Sequence, residues 1–446
     1  MDNNTLLDNT YEQPLNNPTL QTPPKTHGRI RPAVAGAVGA LAGLIVGAAG
    51  IYGIIKMTEQ PPTCPGCKCP RVTSGISDLD YSFLKLESSD SNIIYSPLSI
   101  KNGLVLLDAG ANGNTKTEIE NVLGNEEIPK YQNIPDKLSL ANAVFIKDTF
   151  KDKVLPTYTD MVQNNLGGEI LFDPFESIAN MDNWVDQKTF GLIKDIGIEI
   201  TPNLEMALTN ALAIQMDWKY KFDDEKTHGG SFYTKDDNEI KATTMMEATS
   251  NEEVKYYIDE KTTAVSMPLD STIDNVNLDF IAIMPSNRID EYINSLDSST
   301  ISNVISSFTS ASVPQDGIVI NIPKFKFDYQ LKFREDLEAL GIQTAFDKDT
   351  ADFSNMASEP LYVEQAVHKA NIDFSEDGTK AAAITVFGMA SKSAAERKIS
   401  EPIIINIDHP FLFLIRDASN GTIWFTGTVY QPNLWADDQE AYQISH

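Results

Sequence analysis

Cysteine is almost missing: the 446-residue chain has three, Cys64, Cys67 and Cys69, all inside one six-residue stretch. Whatever folds downstream does so without disulfides. A CxxC pair can hold zinc, but no second ligand pair or neighbouring histidine accompanies it, so no metal is expected. A disulfide between chains is the other reading of these cysteines. Histidine is nearly as scarce, with only His27, His228, His368, His409 and His446. No serine sits in the G-x-S-x-G elbow that presents a hydrolase nucleophile. Phosphate loops of the G-x-x-x-x-G-K-[ST] or G-x-G-x-x-G form and the H-E-x-x-H zinc helix are missing too. The 63 acidic residues supply carboxylate pairs by chance, without a specific glycosidase pattern. Neither an enzyme nor a cofactor is expected.

Positive charge is the next shortage. Lys and Arg total 35 against 63 Asp and Glu, a net of −28. The first 71 residues hold six basic and four acidic groups, which leaves 29 and 59 in residues 72–446, a net of −30. Such a field repels nucleic acid, heparin-like polyanions and anionic lipid, and it attracts cationic partners. It also serves plain solubility.

Long apolar runs are absent but for one. Residues 1–32, led by an Asn-, Thr-, Pro- and Gln-rich stretch, read as a disordered tail. Ala33–Ile55 then runs 23 residues without a charge. That matches the roughly 20 residues needed to cross a bilayer and exceeds the apolar stretch of a secretory signal. The expectation is an uncleaved signal anchor. Gly39, Gly43 and Gly47 recur every four residues, a spacing that permits close helix packing and a homodimer through this span, and that also arises by chance in Ala/Gly-rich helices. Lys25, Arg29 and Arg31 before the span balance Lys56, Lys68 and Arg71 after it, so charge alone leaves orientation undecided. Residues 56–73, with four prolines between Gln60 and Pro70, form a semi-stiff linker.

From residue 74 to 446 no linker-like gap and no repeat interrupts the chain. Helical periodicity marks Ile100–Leu107 continuing to Ile119–Leu123, Met181–Ile193 and Leu331–Leu340. Strand patterns mark Leu138–Ile146, Leu208–Gln215, Leu278–Met284, Gly317–Ile322, Ile403–Ile407 and Phe411–Ile415. The mixture predicts a single α+β domain.

Eight separated segments then carry a resemblance. They are Asn92–Ile100 (NIIYSPLSI), Asn210–Trp218 (NALAIQMDW), Ile322–Phe327 (IPKFKF), Ala351–Ser354 (ADFS), His368–Ala370 (HKA), Glu376–Thr379 (EDGT) followed by Ala381–Ala383, His409–Phe413 (HPFLF) and Phe425–Gly427 (FTG). In this order they resemble the serpin family over residues 75–432 and none of the N-terminal 70. The resemblance implies three β-sheets surrounded by about nine helices, with an exposed reactive-centre loop over about 376–400. It implies a protease inhibitor that works as a suicide substrate. A serine protease cleaves the loop, the loop enters the central sheet as a new strand, and the acyl-enzyme is dragged along and distorted.

The resemblance assigns parts as follows. Glu376, Gly378, Thr379, Ala381, Ala382 and Ala383 form the hinge. Glu376 pairs with Lys324 beside Trp218 where the loop enters the sheet, and Ser96, Ser99, Asn210 and His368 form a polar latch beneath the opening strands. Phe346, Phe353, Phe411 and Trp424 are left as core. Strand parity from Thr379 sends Thr379, Ala381, Ala383, Thr385, Phe387 and Met389 to the core-facing side. Lys380 and Ile384, which depart from the family pattern, fall outward. Fourteen residues from the hinge threonine, the family's usual count, gives Lys392–Ser393 as the scissile bond, suited to a trypsin-like protease. Arg397 competes as a second basic site, and Met389 and Ala390 would suit an elastase-like enzyme, whose cationic surface would fit the charge of −30. The covalent partner expected is thus a serine protease. The rival expectation is a non-inhibitory serpin acting as a binding or chaperone-like module. Tail composition points to a bacterial or archaeal cell-surface protein, single-pass, with the domain outside and open to release by proteolysis.

Overall fold

The stretch MALTNALAI does not alternate: all nine residues of strand β4 (Met206–Ile214) are buried. A strand covered on both faces reads as a near-continuous apolar run, and β4 is covered by helices on either side. The computed structural model describes residues 76–87, 91–124, 127–270, 276–308, 317–331, 333–378 and 402–436, all within the unit Lys68–His446. In chain order the strands are β1 (Ile93–Tyr95), β2 (Leu138–Lys147), β3 (Glu169–Asp173), β4, β5 (His228–Tyr233), β6 (Glu239–Thr249), β7 (Lys255–Ile258), β8 (Thr262–Pro268), β9 (Leu278–Pro285), β10 (Ile318–Pro323), β11 (Phe325–Gln330), β12 (Gln365–Phe374), β13 (Ile403–Asn406), β14 (Phe411–Asp417) and β15 (Ile423–Val429). The helices are α1 (Leu79–Leu86), α2 (Pro97–Gly110), α3 (Gly113–Leu123), α4 (Pro156–Asp160), α5 (Ala179–Lys188), α6 (Ile289–Ser295), α7 (Ser298–Phe308) and α8 (Phe333–Leu340).

These strands build three sheets: β11-β12-β4-β2-β3, β1-β15-β14-β9-β8-β7 and β13-β10-β6-β5. With eight α-helices among the described residues, the architecture is α+β. Helix α2 starts at Ser96, whose side chain accepts from the Ser99 amide, with Pro97 in the first turn; a hydroxyl cap and an early proline are both favoured at a helix start. Its buried Leu98, Ile100, Leu104, Leu106 and Leu107 carry it through the core behind the five-stranded sheet. On the other face α5 sets Trp184 edge-on against Phe145 of β2 at 5.8 Å. Where the five- and six-stranded sheets meet, the rings of Phe325 and Phe374 stack at 4.4 Å and Phe280 lies 4.5 Å from Phe374. Phe346, Phe353, Phe411 and Trp424 are all buried.

Some boundaries differ from the sequence expectation. The periodicity over 100–123 is two helices, parted at Ala111 and Asn112. The helix expected to reach Ile193 stops at Lys188, because Phe190 and Gly191 take positive φ of 55° and 80°, which a right-handed helix cannot accommodate. The membrane placement is corrected. Among the described residues no helix is long and apolar enough to cross a membrane. The longest, α2, has 14 residues, about 21 Å at 1.5 Å each, short of a roughly 30 Å hydrocarbon core. The expected span Ala33–Ile55, with Gly39, Gly43 and Gly47, lies outside the described residues, as do Cys64, Cys67 and Cys69.

Candidate functional site

The five-stranded sheet is incompletely closed. β4 pairs with β2 along its whole length, Leu138↔Ile214 to Ile146↔Met206. On its other edge it pairs in parallel with β12 over four rungs only, Gln365↔Ala207 to His368↔Asn210. Beyond His368, Lys369–Phe374 stay paired with β11, but no rung joins them to Ala211–Ile214. Two strand edges thus face each other unpaired inside one sheet, where ladder hydrogen bonds are the normal state of buried backbone. Between them lies a small cleft lined by Ile214 and Gln215 on one side, Ile372 and its neighbours on the other, and Ile94, Ile415 and Phe425 of the six-stranded sheet. Its lining is chiefly apolar.

A strap from α5 back to β4 crosses this seam. Asp195 meets Lys369 at 2.9 Å. The Glu199 amide donates to Gln365 Oε1 at 2.9 Å, while Gln365 Nε2 donates to the Glu199 carbonyl. Thr201 donates to Glu364 at 2.7 Å.

At the mouth of the cleft the chain after β12 is clamped by several groups. Lys324 Nζ lies 2.5 Å from Glu376 Oε2 and the Thr227 hydroxyl donates to Oε1 at 2.7 Å. Burial raises the Glu376 carboxyl, but the bonds from Lys324 and Thr227 outweigh it and hold the group below the ordinary carboxylate value. Trp218, 3 % exposed, donates its indole N–H to the Ser375 carbonyl at 2.8 Å. Its backbone amide donates to Asp377, and that of Phe222 to Glu376. Lys221 reaches Asp377 at 3.2 Å. Gly378 sits at φ 108°, where a Cβ would come within 2.5 Å of the Trp218 nitrogen and 2.6 Å of the Met216 carbonyl, so glycine is required twice over, by conformation and by space.

Beneath the last rung lie Ser96, Ser99, Asn210 and His368, all buried. The Ser96 amide donates to His368 Nε2 at 2.9 Å, and the Ser99 amide to Ser96 Oγ at 3.0 Å. Asn210 is placed opposite His368 but donates to Asn142 Oδ1 at 2.8 Å. Ser99 Oγ, Thr209 Oγ1, Asn210 Oδ1 and His368 Nδ1 make no hydrogen bond among the described residues. Burial pushes the His368 imidazole down to about 3, so the ring is neutral. Sequence reasoning missed Asn142, a lone polar residue in an apolar strand, and Gly103, whose Cβ would stand 2.2 Å from Asn210 Nδ2. An asparagine and a glycine inside apolar runs are the signals that could have found both.

Thr379, Ala381, Ala382, Ala383, Met389, Ala390, Lys392, Ser393 and Arg397 lie outside the described residues. The chain leaves them at Gly378, at the mouth of the cleft, and resumes just before β13 at the edge of the four-stranded sheet. Among the described residues no group of three His, Cys, Asp or Glu side chains could hold a metal.

The model of the family described as Serpin (serine protease inhibitor) matches residues 80–432. An uncharacterized serpin-like protein of Thermococcus kodakarensis is 26% identical over 85% of this chain and 88% of its own length. Intracellular coagulation inhibitor 2 of Tachypleus tridentatus is 29% identical over 77% and 87%. The native-state structure of the thermophilic serpin tengpin superposes with a TM-score of 0.67 at 27% identity, covering 79% of this chain and 92% of that one. Relatives in archaea and animals alike give the expected bacterial or archaeal origin no support. The family is described by inhibition of serine proteases, not by a reaction that its members catalyse. An open seam in the central sheet, a clamped hinge at its mouth and a family match over most of the chain lead to one assignment: this protein belongs to the serpin family.

Proposed function

We propose that this chain inhibits a trypsin-like serine protease as a suicide substrate, with Lys392–Ser393 as the bait. The observation that carries the reading is the unpaired seam between Lys369–Phe374 and Ala211–Ile214, which starts beside the held residues 376–378. The alternation that follows suits such a seam: Thr379, Ala381, Ala383 and Thr385 are small on the core-facing parity and none is charged. The protease serine attacks the Lys392 carbonyl, the amide bond breaks, and the Ser393 amine leaves with a proton. The carbonyl carbon of Lys392 stays esterified to the enzyme. Residues 379 onward then gain the ladder hydrogen bonds that both edges lack, and this drives the acyl-enzyme away from the geometry its deacylation needs. The net charge of −30 over residues 72–446 favours capture of a cationic protease.

Mixing the full chain with trypsin-like and elastase-like enzymes tests the reading. The expected result is a covalent complex that survives denaturing electrophoresis, with a released peptide beginning at Ser393 by mass spectrometry. Cleavage without complex would overturn inhibition. A peptide beginning elsewhere, after Met389, Ala390 or Arg397, would move the bait and with it the target class.

A further inference from the structure

At Lys324 the chain leaves the four-stranded sheet: β10 pairs with β6 as far as Pro323↔Thr244, and β11 continues in the five-stranded sheet against β12. The next residues of β6, Lys241–Thr243, would then lack a neighbour on that edge. The C-terminal segment supplies it. The Thr243 amide donates to the Asn433 carbonyl at 2.8 Å and the Trp435 amide to the Lys241 carbonyl at 2.9 Å, with Ala242 and Leu434 forming an antiparallel bridge. The Thr243 hydroxyl donates to the Leu434 carbonyl at 3.0 Å. Residues 433–435 lie just past the span 80–432 that the family model matches.

The segment also grips Lys324. The Lys324 amide donates to the Thr243 carbonyl at 2.8 Å, and its carbonyl accepts from the Asn433 amide at 2.9 Å. Asn433 Oδ1 takes the Lys326 amide at 3.2 Å. The backbone of Lys324 is therefore held between β6 and the tail, while its ammonium holds Glu376. Trp435 anchors the arrangement. Its indole lies over Gly229 of β5, where a Cβ would come within 3.0 Å of the ring, so the missing side chain of Gly229 is what seats it.

We infer that Asn433 and Trp435 are positioning residues for the hinge: the tail braces Lys324, Lys324 restrains Glu376, and the brace slows entrance of the uncleaved loop into the seam. The consequence for inhibition rests on the reading proposed above; the brace itself does not. A lysine carries its charge on a flexible stem, so fixing its backbone narrows where the ammonium can go and raises the barrier to losing the pair with Glu376.

The test is amide hydrogen exchange on the full chain, read at two sets of positions. Trp218 and Phe222 donate to the hinge carbonyls, and Thr243 donates to the tail itself. Trp435→Ala and the milder Asn433→Ala are expected to speed exchange at Trp218 and Phe222 about fivefold, the size of one lost hydrogen bond. Asn433→Asp keeps the acceptor for Lys326 and should stay near the parent. In a Lys324→Ala background the Trp435→Ala change should add nothing at Trp218 and Phe222, since the link is already cut. Faster exchange at Thr243 with unchanged Trp218 and Phe222 would overturn the inference, leaving the tail as a finisher of β6. So would an undiminished effect in the Lys324→Ala background. Should the parent chain form no covalent complex with any protease, the inhibitory reading falls while the exchange data still decide the brace. Where complex does form, Trp435→Ala should lose inhibitory capacity on incubation about fivefold faster than the parent, by the same arithmetic.

Discussion

Lowering the pH from 6.5 to 5 should loosen the lowest paired rung of the seam through one side chain, His368. The ring is 1 % exposed, accepts the Ser96 amide on Nε2 at 2.9 Å and packs 6.0 Å from the Phe333 ring. Burial holds its pKa at about 3, against an ordinary 6.5. The sign follows from linkage. A depressed imidazole pKa means the closed state binds fewer protons than any state in which the ring reaches water. Closure is therefore fully favoured above 6.5 and loses ground as pH falls toward 3. Each unit in that window is worth about 1.4 kcal/mol. From 6.5 to 5 the loss is about 1.7 kcal/mol, or roughly sixteenfold in the opening equilibrium. The protection factor of the Ser96 amide, taken relative to intrinsic exchange at each pH, reads this equilibrium, because opening that frees His368 frees its donor. His368→Gln keeps an acceptor for the amide and cannot titrate, so its protection should be flat over the same window. A flat parent profile would refute the reasoning, and so would an equal slope in the glutamine variant.

Gly378→Ala should destabilise the native form by about 1–3 kcal/mol, since a side chain at positive φ would also strike backbone; the midpoint of the first denaturant transition reads it, and an unchanged midpoint would mean the hinge can relax away from Trp218. Ala383→Arg puts a charge on the core-facing parity and should turn the protein from inhibitor to substrate, while Ala382→Arg, facing outward, should keep trapping. Complex-to-cleaved ratios on denaturing gels separate the two, and equal ratios would refute the parity. Lys392→Ala should abolish complex with a trypsin-like enzyme and Arg397→Ala should not.

Which parts of this could be read without coordinates depended on how far each pattern reaches along the chain. β4, β9 and β14 are long apolar runs whose neighbours in the sheet hardly alter them, and their positions are legible from residues alone. The short edge strands β3 and β7 hold five and four residues' worth of pattern and depend on partners elsewhere, whereas β13, equally short, is marked by its run of isoleucines. Pairing of Lys324 with Glu376, 52 positions apart, entered through resemblance; no local rule links a lysine after IP with a glutamate before DGT. The partial register of β4 on β12 is less legible still, because the residues that stop pairing, Ala211–Ile214, are as strand-like as those that continue. The tail at 433–435 has no periodicity and reads as a terminus. Only the departure of β10 from β6 creates the edge it fills.

The two serines grouped together by resemblance are separated by the structure, and the separation can be tested in opposite directions. Both are fully buried. Ser96 Oγ caps α2 by accepting the Ser99 amide, so Ser96→Ala should cost about 1 kcal/mol, the usual value of a lost hydroxyl cap. Ser99 Oγ has no partner among the described residues, like Asn210 Oδ1 and His368 Nδ1 on the same side of the sheet. An unpaired buried hydroxyl costs about 1–3 kcal/mol, and Ser99→Ala removes it while leaving the backbone bond to Ser96 intact. The native form should gain about 1 kcal/mol. Denaturant midpoints of the two variants should therefore move in opposite directions from the parent, and a fall in both would refute the distinction. Unpaired groups on Ser99, Asn210 and His368 thus lie on one side of the last rung. The mouth, by contrast, is well bonded: Glu376 alone takes Lys324 and Thr227. Unpaired groups thus collect where the strands must part, and the bonded clamp sits where the loop begins.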